Sequence, residues 1–149
     1  MAMTAAGARR LFVGAVVAAL LAVGAPATAR TADVDYVVDG DTIRLDSGTY
    51  VRLIGIDSPE KGHCGYRKAK KQLDAWVGSK ARLANPAAVQ DKDQYDRLLR
   101  YVRASGRDTG LAMIRKGLAK ARYDGLDGYD KHPRQKKYRR ADRRSTDVC

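Results

Sequence analysis

Several of the residues that usually steady a small protein are scarce in this chain of 149 residues. It has two cysteines, four prolines, two histidines, one tryptophan and one phenylalanine, Phe12. Four prolines and 14 glycines without a period exclude collagen-like and low-complexity classes. His63 is the only histidine near either cysteine, so a four-ligand N/S metal site is hard to assemble. No apolar run reaches the ~20 residues a bilayer-spanning helix needs. The longest, Leu11 to Val23, has 13. Acid is sparse beside 29 Lys+Arg and 17 Asp+Glu, a net +12, and Glu60 is the sole glutamate. The charged fraction of 31% is ordinary and argues against wholesale disorder. A length near 150 suits one domain.

Residues 1–29 read as a cleaved export signal. Arg9 and Arg10 form a basic start, the apolar run follows, Pro26 breaks it, and Ala27-Thr28-Ala29 is a small-x-small cleavage site. A cut nearer Ala32 is the alternative. The expected product is secreted, without stable membrane association. Removing 1–29 takes Arg9 and Arg10 but no acid, so 30–149 keeps 27 basic against 17 acidic residues, +10 over 120 residues. Such a field favours polyanions: nucleic acid, anionic lipid or acidic wall polymer. In an oxidising compartment Cys64 and Cys149 suggest one disulfide, with two free thiols as the alternative. Loop closure over so long a span contributes roughly 4 kcal/mol.

The expected organisation is one domain over 30–130 followed by a basic helix or tail over 131–149. Val34 to Val38, Thr42 to Leu45 and Tyr50 to Ile56 predict a meander of three strands, with Asp39-Gly40 and Asp46-Ser47-Gly48 at its turns. Ala69, Leu73, Trp76 and Val77 predict a helix over Tyr66–Val77 that stops at Gly78. Further strands are expected at Lys80–Ala84 and Leu98–Val102, and further helices at Thr109–Lys116 and, exposed, Pro133–Arg144. This pattern predicts an α+β fold, a five-stranded OB-type β-barrel with about three helices. Without phenylalanine beyond Phe12, Trp76, the eight tyrosines and the aliphatics are expected to build its core.

Charges stand where strands should be quiet. Asp41 shares a strand face with Ile43 and Leu45, Arg52 interrupts Val51-Leu53-Ile54, and Asp57 and Glu60 follow directly. Such groups are costly in a core unless paired or metal-bound. Val37-Val38-Asp39-Gly40-Asp41-Thr42-Ile43-Arg44-Leu45 and Val51-Arg52-Leu53-Ile54-Gly55-Ile56-Asp57-Ser58-Pro59-Glu60 resemble the signature of the staphylococcal (thermo)nuclease family. Asp93-Gln94-Tyr95-Asp96-Arg97 and Gly117-Leu118-Ala119-Lys120-Ala121-Arg122-Tyr123 resemble two further blocks of it, in the same order. The resemblance covers about 34–123.

The resemblance implies a calcium-dependent endonuclease on an OB barrel that cuts DNA and RNA at P–O5′, leaving 3′-phosphates, with little sequence preference. Asp41, Asp57 and the carbonyl of Ser58 would bind Ca²⁺, whose hard oxygen ligands they match. Glu60 would take a proton from the attacking water or orient it. Arg52 and Arg97 would grip the scissile phosphate. Tyr95 and Tyr123 would hold the nucleotide, and single strands would be cut faster than duplex. A monomer suffices. Ser58 replaces the usual threonine, and Asp96 a common glycine, which aspartate tolerates if φ is positive. Gly125 replaces a second tyrosine, which weakens the nucleotide subsite.

Duller readings stand beside these. Asp39-Gly40-Asp41 alone is a hairpin turn, Arg52 a strand arginine snorkelling outward, and Asp57-Ser58-Pro59-Glu60 a helix cap. Asp124, Asp127 and Asp130 suggest a solvated loop before a second calcium site, since their spacing is not that of an EF-hand. The eight basic residues among 131–144 are either a solvated face or a contact for nucleic-acid phosphates. A non-catalytic nucleic-acid-binding OB module, or a cationic adhesion protein, would also carry this charge.

Overall fold

The strand-rich half of the chain closes on itself. The computed structural model describes residues 29–149; the expected export signal, but for Ala29, lies outside the described residues. β1 (Arg30–Val37), β2 (Thr42–Leu45) and β3 (Tyr50–Leu53) form the expected meander. β4 (Ile56–Asp57) and α1 (Tyr66–Val77) follow, then β5 (Lys80–Ala84) and β6 (Leu98–Ala104). β5 pairs antiparallel with both β1 and β6, while β6 lies parallel to β3. The ring β1-β2-β3-β6-β5 is a closed, mixed five-stranded barrel of the OB type. Ile43, Val51, Leu53 and Val102 fill it at 2% exposure or less. Each such side chain stabilises the fold by about 1.5–3 kcal/mol.

Two strands differ from their sequence pattern. β1 begins four residues before Val34, because Arg30–Asp33 pairs with Lys80–Leu83 through its backbone and an Asp33–Lys80 ion pair and carries no apolar alternation to betray it. A register shift between Val34 and Tyr36 then bends β1 from β5 to β2. The expected strand Tyr50–Ile56 is broken at Ile54-Gly55, where Gly55 has φ +76°. A Cβ on Gly55 would lie 2.4 Å from His132 Nε2, so this turn exists only because the residue has no side chain. Beyond it β4 leaves the barrel to pair with β8 (Lys120–Ala121).

α1 buries Ala69, Leu73 and Val77 at i, i+4 and i+8 between Gly65 and Gly78. β7 (Arg107–Asp108) leads into α2 (Thr109–Arg115), where the Asp108 side chain caps the helix by accepting from Leu111 N. Asp108 also accepts from Tyr138 Oη at 2.7 Å and from Arg134 Nη1 at 2.9 Å, and so ties α3 (Gln135–Asp142) down. α3 is shorter than 133–144 and is not fully exposed: Gln135 and Tyr138 are buried. Only Tyr101 and Tyr138 of the tyrosines join the core; five others stay exposed, which corrects the expectation that all eight build it. Cys64 and Cys149 are bonded, across 85 residues. Among the described residues no helix is long and apolar enough to cross a membrane.

His132 sits beneath this assembly, 1% exposed and edge-on to Tyr101 and Tyr138. Tyr101 Oη accepts from Arg134 N and stands 2.7 Å from His132 Nδ1, so its proton is free to go to that nitrogen. Burial holds the imidazole down at about 4, against a partial pull from Asp124. A base depressed in the fold takes up protons first in the unfolded chain, so stability falls with pH through the window 6.5 to 4. The loss attributable to His132 is up to roughly 3 kcal/mol. His132→Phe should flatten urea-denaturation midpoints between pH 7 and 4 relative to the parent; parallel profiles would remove His132 as the cause.

Candidate active site

One cleft of about 610 Å³ opens on the barrel between the β1–β2 connection, the β3–β4 turn, the 85–97 loop and the 123–130 segment. The β1–β2 connection is not the expected glycine-dependent hairpin. Gly40 has no positive φ; it is glycine because a Cβ would lie 2.7 Å from those of Ala69 and Ser58. Asp39 Oδ1 accepts from Asp41 N at 3.0 Å and so shapes this turn.

Asp41 is 4% exposed and fully engaged. Its Oδ2 accepts from Ser58 N at 2.7 Å, and its Oδ1 accepts from Thr42 Oγ1 at 3.0 Å. Arg52 does not snorkel: its side chain is 11% exposed. Arg52 Nη1 donates to the Ile56 carbonyl at 2.8 Å and stands 3.2 Å from Asp41 Oδ1, while Nη2 is 3.5 Å from Asp57 Oδ1. The guanidinium therefore bridges the two carboxylates. Glu60 is exposed on the rim.

Arg97 enters from a tight turn built on Asp93. Asp93 Oδ1 accepts from Tyr95 N and Arg97 N, both at 3.0 Å, and Oδ2 accepts from Arg97 Nε at 2.7 Å. Asp96 has φ +62°, the conformation its side chain tolerates. Among the described residues Nη1 and Nη2 of Arg97 make no hydrogen bond to protein, so both face the cleft with their donors unused. Tyr95, 70% exposed, lies beside Arg97, its ring centre 5.4 Å from the guanidinium. Tyr123 stands likewise 5.5 Å from Arg52. Tyr129 meets Tyr123 edge-on at 5.4 Å, so a second tyrosine does line this wall, four residues beyond Gly125.

Asp41, Arg52, Glu60, Tyr95, Arg97 and Tyr123 thus converge on one cleft, with Asp57 against Arg52 and Ser58 behind Asp41. The Cys64–Cys149 bond lies outside it. Asp39, Asp93 and Tyr129 join the site without having been singled out in the sequence. Asp93 carries a legible signal, an acid four residues before Arg97; Asp39 and Tyr129 carry none. Of the expected solvated loop only part holds: Asp130 and most of 125–130 are exposed, while Asp124 and Asp127 are taken up by an arginine. Asp124 is 0% exposed and takes a fork from Arg139 at 2.7 and 2.8 Å, which also reaches Asp127 at 2.6 Å.

The electrostatics set acids against guanidiniums. Burial, then the charge of Asp41, pushes Asp39 up to about 6. Burial raises Asp57 as well; Arg52 opposes this, and Asp41 and Glu60 add to it. Asp93 goes the other way: burial would raise it, but Arg97 and two backbone N–H groups hold it below the ordinary range. Among the described residues no three His, Cys, Asp or Glu side chains form a ready-made metal cage. Still, the donors on this wall are all oxygens, and their carboxylates carry more charge than Arg52 compensates. That suits a hard cation that completes its shell with carbonyls and water.

A model described as staphylococcal nuclease homologue matches residues 50–145. The chain is similar to an uncharacterized endonuclease of Haemophilus influenzae, 35% identical over 88 residues, which cover 56% of this chain and 47% of that protein. It is 31% identical over 103 residues to the probable endonuclease LCL3 of Phaeosphaeria nodorum, covering 64% of this chain and 34% of the relative. It is 30% identical over 102 residues to the endonuclease YhcR of Bacillus subtilis, covering 58% of this chain and 8% of the relative. The matched stretch is thus less than half the length of each of these relatives.

Asp93→Ala should free the Arg97 turn at a cost of about 2 kcal/mol, since it removes a charged acceptor from three donors. Hydrogen exchange should quicken at the Tyr95 and Arg97 amides and not in α1. Unchanged exchange at those two amides would mean that the turn holds without Asp93.

Proposed function

The chain belongs to the staphylococcal nuclease family, and from that premise we propose that it is a secreted, calcium-dependent endonuclease of DNA and RNA. The observation that carries the reading is the pairing, in one cleft, of two side-chain-anchored guanidiniums, Arg52 and Arg97, with the single glutamate, Glu60. A binding platform needs cations and aromatics; it does not need these fixed forks beside a carboxylate wall.

Asp41, Asp57 and the Ser58 carbonyl would hold Ca²⁺, which when bound supplies Lewis-acid stabilisation of the phosphate oxygens. The chain's own residues do the rest. Arg97 reaches in with Nη1 and Nη2 and takes two phosphate oxygens as a planar fork. Arg52, fixed by the Ile56 carbonyl, adds positive charge where negative charge grows in the transition state. Glu60, on the rim, orients the attacking water or takes its proton, and the P–O5′ bond breaks to leave a 3′-phosphate. Tyr95 and Tyr123, with Tyr129 behind Tyr123, offer rings to a base. Stacking is indifferent to base identity, so sequence preference is small, and unstacked single strands fit better than duplex.

The ladder Arg30–Asp33 against β5 favours release of the leader before Arg30, because a cut after Ala32 would remove three of its four pairs. Nothing in the cleft calls for a second protomer, and the reading takes the enzyme as a monomer.

The test is degradation of heat-denatured DNA with Ca²⁺ or EGTA, beside Glu60→Gln and Arg97→Lys. Calcium-dependent cutting is expected, reduced about 100-fold or more in each variant. Cutting that survives EGTA or is equal in Glu60→Gln would overturn the assigned mechanism. Binding without cutting in any divalent ion would favour a non-catalytic module.

A further inference from the structure

Eight cations lie between Lys131 and Arg144, and the fold treats them in two ways. Arg134 and Arg139 are consumed in docking α3, on Asp108 and on the Asp124–Asp127 pair. The other six, Lys131, Lys136, Lys137, Arg140, Arg143 and Arg144, are exposed, and among the described residues none forms an ion pair. Lys136, Arg140, Arg143 and Arg144 recur at i, i+4, i+7 and i+8 with Lys137 alongside. At 3.6 residues per turn these five share an arc of about 120°. The opposite face holds buried Gln135 and Tyr138. Like charges at this spacing repel one another, and none of the six helps to dock the helix.

The stripe is continuous with the cleft. A hollow of about 370 Å³ is lined by Ala88, Lys131, Pro133 and Lys136. The residues after Ala88, Val89 and Gln90, already line the cleft, as does Asp130 before Lys131. Gln90 N donates to Asp130 Oδ2 at 3.2 Å and closes the seam between them. A chain leaving the cleft past this seam meets Lys131 and Lys136 and then the α3 face. From Lys136 to its end at Asp142 the helix rises about 9 Å, and Arg143 and Arg144 extend the face into the following turn, in all about three phosphate steps at B-form rise.

We propose that this face is a second binding site, an exit track for the sugar–phosphate backbone of the strand held in the cleft. The assignment rests on the nuclease reading of the cleft for its choice of polyanion. It makes affinity grow with substrate length and fall steeply with salt, without base readout.

The experiment compares the parent with Lys136→Gln/Lys137→Gln/Arg140→Gln/Arg143→Gln/Arg144→Gln on a labelled 20-nucleotide single strand and on a tetranucleotide, in EDTA. At ~0.7 counterions per phosphate, the slope of log affinity against log salt for the 20-mer should fall by about 3 in the variant. Its affinity at 100 mM salt should fall about tenfold or more, while tetranucleotide binding stays within about twofold. Arg140→Gln/Arg144→Gln, with a slope loss of about 1.4, decides the matter if the five-fold variant does not fold. An unchanged 20-mer slope overturns the track. So does loss of binding to phosphatidylglycerol vesicles with the 20-mer slope intact, which would assign the face to lipid. If the parent cuts nothing with calcium the nuclease reading fails, yet the slopes still decide whether the track exists.

Discussion

The parallel ladder between β3 and β6 is the constraint on which the site depends. It closes the barrel, and its register sets Arg52 opposite Leu99, two residues from Arg97. Two guanidiniums 45 positions apart in sequence become neighbours through three pairs of backbone partners. A slip of one residue would turn Arg52 into the packed interior and Val51 outward. The apolar alternation of β3, with Val51 and Leu53 buried on either side of Arg52, forbids that slip. Hydrophobic burial thus sets the geometry of the charged groups.

The same division of labour holds around the cleft. Both guanidiniums are fixed by protein, and Arg97, held through Nε, keeps Nη1 and Nη2 for the opening. Arg52 is held by the Ile56 carbonyl and Asp41, Arg97 by Asp93. Fixing a long side chain in advance removes much of the ordering cost that binding would otherwise incur. On the acidic side, burial and then neighbouring carboxylates raise Asp39 and Asp57 in pKa, while Asp93, given an arginine of its own, is lowered. The wall keeps an excess of negative charge and the loop does not.

How far the sequence disclosed this depends on what each element spends its residues on. α1 and β5 run within the limits their periodicity predicts, because one face of each is buried. Arg30–Asp33 was invisible, since its ladder rests on backbone hydrogen bonds and one exposed ion pair, Asp33 with Lys80, which impose no apolar alternation. Gly55 gave no sign of breaking a strand, because its reason, the imidazole of His132, lies 77 positions away in sequence. The tyrosines misled in the opposite direction: five are exposed, three of these in the cleft, and only Tyr101 and Tyr138 pack inside. At the site, the charged residues showed through as violations of strand pattern. Asp39 and Tyr129 did not, being an ordinary turn residue and an ordinary loop aromatic until the fold brings them together.

The bond between Cys64 and Cys149 changes what cleavage by a protease can do to this protein. Its loop spans 85 residues and includes the exposed 85–97 loop and the Gly-rich segment after Tyr123. A single cut at Lys92, or at Lys131, yields two fragments that remain one covalent molecule. β5 and β6 then rejoin as if within one chain, since their effective concentration is set by the tether and not by dilution. Val148 N, bonded to the Gly117 carbonyl, holds the tail on the α2–β8 turn in the same state. A nicked molecule is therefore damaged locally and stays assembled, an advantage wherever proteases are the commonest hazard.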